Sequence, residues 1–119
     1  MYEISLDKDR KLLRAVFTGL WDIQTLDRYE VEREDAVRGA GWRPGEYDYL
    51  LDLRGHPVQP KEVAAKGDEH YRNFQPRPRK LALIVTSALA RMQVTRVVKG
   101  TQERFFDNEE AALDWLAER

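Results

Sequence analysis

Three side chains with acid, base and anion-binding chemistry stand at alternate positions in one short stretch, "LLDLRGHPVQP" at residues 50–60. Asp52, Arg54 and His56 are spaced i, i+2 and i+4, so a strand would point them to one side. A histidine beside a carboxylate can act as a general base, and a guanidinium can hold an anion. No serine or cysteine nucleophile stands beside them. We therefore predict no catalytic residue, and interpret Asp52 and Arg54 as an ion pair or local backbone cap and His56 as a loop residue.

Motifs for metals, cofactors and nucleotides are missing from the sequence. His56 and His70 are the only histidines, and neither stands in HExxH or another ligand spacing. The chain has no cysteine, which excludes disulfides, thiolate metal sites and cysteine nucleophiles. It also lacks GxGxxG and the GxxxxGKS or GxxxxGKT phosphate loop. We predict no metal site and no cofactor.

Length and charge limit the class of protein. At 119 residues the chain is long enough for one core and too short for two, so we predict a single domain over residues 1–119. Hydrophobic residues make up 42% and charged residues 34%, with a formal net charge of -1. That balance gives no overall field to attract nucleic acid, and none is predicted as a partner. The lack of cysteine and of a long apolar run favours a soluble, cytoplasmic protein without a transmembrane segment.

The chain begins with a pattern typical of a β-hairpin followed by a helix. Apolar and polar residues alternate in "MYEISLD", and "KDRK" turns the chain into a second strand in "LLRAVFTGLW". Asp22 is placed to cap the helix that follows, and Gly39 and Gly41 end it. One face of this helix carries Leu26, Tyr29, Arg33, Ala36, Val37 and Ala40.

Alternating strands and helices fill the rest of the chain. "YLLDLRG" suits a buried strand, and Pro60 suits the first turn of a second helix, although Gly67 weakens that helix by about 1 kcal/mol relative to Ala. "LALIVT" is the most β-like run, suited to an inner strand. Ser87 can cap a third helix, "ALARMQVTRVVKG", which Gly100 closes. "QERFF" allows a short strand, and Asp107 begins the terminal helix at capping-box spacing from Glu110.

The predicted fold class is therefore α/β, in the order ββαβαβαβα. It has a mostly parallel five-stranded sheet with an antiparallel N-terminal hairpin strand, flanked by helices. Ligands of such sheets collect at the carboxyl ends of the strands, where "RGHPVQP" and "TS" lie here. The candidate ligand-binding residues at this edge are Arg54, Gly55, His56, Val58, Thr86, Ser87, Leu89, Arg91 and Met92.

The third predicted helix has two apolar stripes instead of one. Ala90, Val94, Val97 and Val98 form the first stripe, and Ala88, Leu89 and Met92 fall roughly opposite. One stripe should dock on the sheet, and the other needs a covering. The second helix is the favoured covering, with a twin subunit or a ligand left open as alternatives. From this extra stripe we expect a homodimer.

Basic residues concentrate in the later half of the chain. "RPRK" at residues 77–80 is accompanied by Arg72, Arg91, Arg96 and Lys99. Such a cluster can contact phosphates or anionic headgroups. Aromatic residues do not interleave with it as in a single-strand nucleic-acid site, and a solvated surface is the favoured interpretation.

The whole chain resembles a known family through its order of elements and through "YLLDLRGHPVQPKEV", "LALIVTSALARMQ" and "RFFDNEEAALDWL". It resembles the SpoIIAA-like branch of the STAS superfamily, also described as STAS/SEC14-like. The resemblance implies a small, non-enzymatic α/β domain. STAS anti-sigma-factor antagonists are switched by phosphorylation of a serine in the loop after the third strand, but residues 54–63 contain no Ser or Thr. No phosphorylation site is therefore carried over. The SEC14 side implies an apolar small-molecule or lipid site, with peripheral membrane contact.

The sequence is compatible with three functions. The leading expectation is a non-enzymatic regulatory or binding domain that acts through protein partners or a small apolar ligand near "RGHPVQP" and "TSALARM". The alternative is a lipid-binding or membrane-associating module with an apolar groove and a basic rim. Val58, Tyr71, Leu89 and Met92 would line that groove, and Arg77, Arg79 and Arg91 would form the rim. An enzyme that uses Asp52 and His56 is the weakest alternative.

Overall fold

Five strands and four helices make up the described part of the chain, residues 1–95 and 102–118, in a computed structural model. The strands are β1 (Tyr2–Asp7), β2 (Leu12–Thr18), β3 (Asp48–Gly55), β4 (Leu81–Ile84) and β5 (Glu103–Phe106). The helices are α1 (Ile23–Ala40), α2 (Lys61–Asn73), α3 (Ala88–Gln93) and α4 (Glu109–Ala117). The predicted α/β class and the order ββαβαβαβα are confirmed.

The strands follow chain order across a single mixed sheet, β1-β2-β3-β4-β5. β1 pairs antiparallel with β2, as the alternating pattern predicted, and β2 to β5 run parallel. The carboxyl ends of these four strands therefore meet at one edge of the sheet. The loops after β2, β3 and β4 lie together there, and this edge is called the carboxyl edge below.

Side-chain alternation divides the core into two layers. On β3, Tyr49 and Leu53 pack with residues of α1, α2 and α3, whereas Leu50 packs against α4. β4 follows the same rule, with Leu83 on the first side and Ile84 on the second. Three helices thus cover one face of the sheet, and α4 covers part of the other face.

Helix ends follow from short polar side chains and glycine. The Asp22 carboxylate accepts a 2.8 Å hydrogen bond from Thr25 N at the start of α1, and Gly41 ends this helix at a φ of 73°. Ser87 caps α3, as predicted. The cap of α4 is Asn108, whose side chain accepts a 2.8 Å bond from Ala111 N, so the prediction that Asp107 caps this helix was wrong by one residue.

The third helix is shorter than its sequence pattern predicted. α3 ends at Gln93, with Val94 as its C-cap, instead of continuing to Gly100. Val97 and Val98, which completed the predicted first stripe, lie in residues 96–101, outside the described part of the chain. Of that stripe, Ala90 is buried in the core, while Leu89 and Met92 on the other stripe are exposed.

Substitution of Asn108 and of Asp107 should show which of the two residues caps α4. We expect Asn108→Ala to lower the free energy of unfolding by about 1 kcal/mol, because the Ala111 amide loses its acceptor. Asp107→Ala is the matched control, and we expect a change within about 0.5 kcal/mol because its side chain is 83% exposed. Urea unfolding measures both. A larger loss for Asp107→Ala than for Asn108→Ala would contradict the assignment.

Candidate functional site

A cavity of about 110 Å³ lies between the sheet and helices α1 and α2. Its walls are mainly aromatic and aliphatic, with Phe17, Trp21, Leu26, Leu51, Val63 and Leu83 among the lining residues. Pro57 is exposed and Asp68 half-buried, so the lining reaches the protein surface. A concave apolar site with few polar groups is the usual form of a small-molecule site.

Helical spacing explains two of the walls. Leu26, Tyr29 and Arg33 follow one another at one-turn intervals on α1 and line the cavity. Val63 and Gly67 do the same on α2. A Cβ atom at Gly67 would lie 3.9 Å from the nearest side-chain atom, Leu26 Cδ1, so a small side chain fits there without strain. The predicted helix weakness at Gly67 therefore coincides with the cavity wall, where a Cβ atom would be in ordinary contact with α1.

An ion pair lies buried in the cavity wall. Arg33 is 3% exposed and Glu30 is 7% exposed, and Arg33 Nη2 donates a 2.8 Å hydrogen bond to Glu30 Oε2. The Arg33 guanidinium carbon lies 3.9 Å from the ring centroid of Phe74. Arg33 Nε is buried and has no hydrogen-bond partner among the described residues. One donor of a cavity-lining guanidinium is thus left without an acceptor among the described residues.

The pKa of Glu30 lies near neutral pH. Burial raises its pKa to about 7, although the nearby Arg33 guanidinium opposes the shift. On α2, His70 Nδ1 lies 3.2 Å from Glu30 Oε2, and Lys66 pairs with Asp27 at 2.9 Å. The carboxyl group of Glu30 can therefore exchange a proton near neutral pH.

Two tyrosine hydroxyl groups face each other beside this ion pair. Tyr29 and Tyr49 share a hydrogen bond between their hydroxyl oxygens, and both residues line the cavity. Burial raises the pKa of Tyr29 well above its usual value, so the hydroxyl stays neutral. Tyrosine hydroxyls can both donate and accept, and with the ion pair they give the cavity a polar end that contains Glu30, Arg33, Tyr29 and Tyr49.

His56 lines the cavity toward the carboxyl edge. Its ring contacts Phe17 and Trp21 edge-on, with centroid distances of 5.2 and 5.1 Å. Burial lowers the pKa of His56 to about 4, so the imidazole is neutral at physiological pH. Its chemistry there is that of a neutral hydrogen-bonding group.

Gln59 holds the rim of the cavity together. This buried side chain accepts a 2.7 Å bond from Trp21 N and donates a 3.1 Å bond to Gly19 O. Its backbone makes two bonds with the Gln93 side chain, of 2.7 and 2.8 Å. One residue thus joins the loops after β2 and β3 to α3.

Asp52, Arg54 and His56 divide between the two faces of the sheet. Asp52 lies against Arg54 at 2.7 Å and Arg14 at 3.9 Å, and the hydrogen bonds from Arg54 lower its pKa. β3 ends at Gly55 and the chain turns, so that His56 lines the cavity on the opposite face. The prediction that three residues point to one side therefore fails at His56. The Asp52–Arg54 ion pair is observed, as interpreted.

The structure spreads the predicted ligand-binding residues over the carboxyl edge. Among these nine residues, His56 lines the cavity. Val58, Leu89 and Met92 are exposed, Arg54 holds Asp52, and Arg91 lies over the Phe105 ring. Gly55, Thr86 and Ser87 are exposed residues of the strand end and the loop after β4.

The predicted lipid groove is not gathered in one place either. Tyr71 is buried in the cavity wall, under the Arg77 guanidinium at 4.4 Å, while Leu89 and Met92 are exposed on α3. Arg79 pairs with Asp48 at 2.9 Å, where β3 begins. The groove and its rim therefore belong to different parts of the domain.

Sequence reasoning missed the polar end and the Gln59 contacts. The sequence pattern places Arg33 on the apolar face of α1. A charged residue on an apolar helix face is the sequence signal that could have indicated a buried guanidinium. Glu30 carried no signal, because a glutamate three residues before an arginine is common on exposed helices.

Residues 1–95 and 102–118 contain neither a metal-binding cluster nor a membrane-spanning helix. This part of the chain holds no cluster of three or more His, Asp or Glu side chains able to bind a metal ion. Among the same residues, no helix combines the length and apolarity required to span a bilayer.

The class that this fold defines is a small α/β domain with a sequentially ordered mixed sheet, and comparison with solved structures makes it more specific. A crystal structure of an uncharacterised DUF3478-family protein from Shewanella loihica PV-4, described as having a SpoIIAA-like fold, is similar with a TM-score of 0.74. The two chains share 19% sequence identity, and the match covers 98% of this chain and 93% of that one. The chain therefore has a SpoIIAA-like fold. No protein-family model and no curated protein matches the sequence.

The raised pKa of Glu30 predicts a pH-dependent cost of folding. A carboxyl whose folded pKa lies near 7, against about 4.5 unfolded, contributes stability below pH 4.5 that is lost as the pH rises through 7. As the pH rises from 4 to 8, we expect the free energy of unfolding of Glu30→Gln to increase by roughly 2–3 kcal/mol relative to that of wild type. Urea unfolding at fixed pH values measures the difference, with Glu34→Gln on the exposed side of α1 as control.

The comparison with wild type is needed because His56 acts in the opposite direction. Its lowered pKa removes stability as the pH falls from 6.5 through 4. That contribution is common to wild type and Glu30→Gln and cancels in their difference. An identical pH profile for Glu30→Gln and Glu34→Gln would show that Glu30 is not held near neutral pH.

Proposed function

We propose that this domain is a non-enzymatic binding module that takes a small, mainly apolar molecule into the cavity between the sheet and helices α1 and α2. The observation that carries the proposal is the cavity of about 110 Å³ with aromatic walls and one polar end. Engineered apolar cavities of about 150 Å³ bind benzene. An apolar ligand of about this size or smaller, with one polar group, matches the chemistry of this site.

Three further features support a binding role. The loop after β3, where the resembling STAS antagonists carry a phosphorylated serine, has no Ser or Thr and instead supplies His56 to the cavity. Asp52 and His56 lie on opposite faces of the sheet, an arrangement that favours binding over general-base catalysis by this pair. The hydrogen bonds between Gln59 and Gln93 connect the cavity rim to α3. A ligand in the cavity could therefore change the position of α3 at the carboxyl edge. Such a link would let a ligand change how this edge meets a protein partner.

A second candidate function is reversible membrane contact through the carboxyl edge. Leu20, Val58, Leu89 and Met92 follow the carboxyl ends of three adjacent strands and are 70%, 46%, 68% and 72% exposed. Exposed apolar side chains at one edge of a domain can serve as membrane or protein contacts. A second copy of the chain is the competing occupant of this edge, and would give the homodimer that the sequence pattern favours.

Filling the cavity should abolish ligand binding. Gly67→Leu places a side chain in the space between α1 and α2, so we expect it to weaken binding of benzyl alcohol at least tenfold, as measured by NMR titration. Gly39→Ala is the control, because Gly39 is a helical glycine of α1 with nothing near its Cβ position. Wild type and Gly39→Ala should bind with equal affinity. Binding that persists in Gly67→Leu, or shift changes outside the cavity, would contradict the proposal.

Vesicle co-sedimentation tests the membrane candidate. We expect the double variant Leu89→Ser/Met92→Ser to reduce binding to phosphatidylglycerol vesicles at least threefold, because two exposed apolar side chains are lost without any change in charge. Val31→Ser, an exposed apolar position on α1, is the matched control. Equal vesicle binding by both variants would contradict membrane contact through the carboxyl edge. A dimer mass that is lost only in the double variant would indicate that a second copy of the chain binds this edge instead.

A further inference from the structure

The buried polar end of the cavity indicates which ligand chemistry it recognises. We propose that the cavity takes a compact apolar monocarboxylate, whose carboxylate accepts hydrogen bonds from Arg33 while its apolar body packs against the aromatic walls. This inference rests on the proposed binding function and adds the chemical class of the ligand to it.

The unpartnered Arg33 Nε is the first observation behind the proposal. Arg33 is 97% buried by its 3% exposure, it lines the cavity, and its Nε has no acceptor among the described residues. Leaving a buried charged donor without an acceptor is costly, so the site gains most from a ligand that brings an oxygen acceptor. A carboxylate suits a guanidinium because its two oxygens match the fork of N–H groups.

The charge balance around Arg33 is the second observation. Its one carboxylate partner in the described structure is Glu30, through Nη2. On the facing helix α2, Lys66 is paired with Asp27, and His70 contacts both Glu30 and Asp27. Burial raises the pKa of Glu30 to about 7, so this carboxyl is partly protonated near neutral pH and compensates the guanidinium incompletely. The polar end therefore favours an anion over an amine.

The remaining cavity groups select a monocarboxylate over a larger anion. Beyond Arg33, the polar end offers the hydrogen-bonded hydroxyl pair of Tyr29 and Tyr49, in which one hydroxyl donates to the other and the second can donate to a carboxylate oxygen. A phosphate would bring more oxygens and more charge than one guanidinium and two hydroxyls satisfy. The rest of the lining, including Phe17, Leu26 and Val63, gives an apolar body its contacts.

A matched set of probes tests the inference in the wild-type protein. Benzoate, benzyl alcohol and benzylamine share a ring and differ in the polar group. We expect benzoate to bind at least tenfold more tightly than benzyl alcohol and benzylamine to bind most weakly, in NMR titrations that follow the amides of the cavity residues. Equal affinities for benzoate and benzyl alcohol would overturn the inference and leave the proposed function intact. Failure of all three probes to perturb cavity residues would overturn the proposed function itself.

Variants assign the selectivity to Arg33. We expect Arg33→Met to weaken benzoate binding about tenfold to a hundredfold and to change benzyl alcohol binding less than twofold. Arg38→Met is the matched control, because Arg38 lies on the same helix with a side chain 71% exposed. Glu30→Gln should tighten benzoate binding, since it removes the competing carboxylate. If Arg33→Met does not give a folded amide spectrum, the Glu30→Gln result decides, and weaker benzoate binding there would overturn the assignment.

Discussion

The buried guanidinium of Arg33 determines how one side of this domain is built. A charge in a core must be paired and surrounded by polarisable groups, or the folded state loses several kcal/mol. Glu30 on the same helix accepts a hydrogen bond from Arg33 and supplies part of the opposite charge, and the rings of Tyr49 and Phe74 approach the guanidinium from β3 and from the end of α2. Helix α1, the sheet and α2 are therefore held in register by one cation as well as by apolar contacts.

The two faces of the sheet differ in the groups that their cores contain. On the α4 side, Leu50, Ile84 and Ala112 are fully buried in an apolar cluster. On the other side, one cavity is lined by Arg33, by the helical glycine Gly67 and by Glu30, whose carboxyl pKa is raised. Each of these features costs stability, and natural proteins keep such costs mainly where a site requires them. The asymmetry of the core, more than any single motif, separates the structural face from the candidate site.

Much of the fold followed from local rules, and most of the site did not. Alternation in "MYEISLD", the Asp22 cap and the left-handed Gly41 each have a local cause that a sequence shows directly. The direction of His56 depends on a turn after Gly55, and no spacing rule reports that. Periodicity placed Arg33 on the apolar face of α1, but a long charged side chain at such a position can also reach solvent. Whether it stays inside is decided by Phe74, Tyr49 and Glu30, which come together only in the folded chain.

A crystal structure of the protein grown with benzoate tests directly whether Arg33 binds the carboxylate of a ligand in the cavity. We expect electron density for the ring among Phe17, Leu26 and Val63, with a carboxylate oxygen about 3 Å from a guanidinium nitrogen of Arg33. Density in the cavity with the carboxylate turned toward His56, or benzoate bound only at the protein surface, would contradict this expectation.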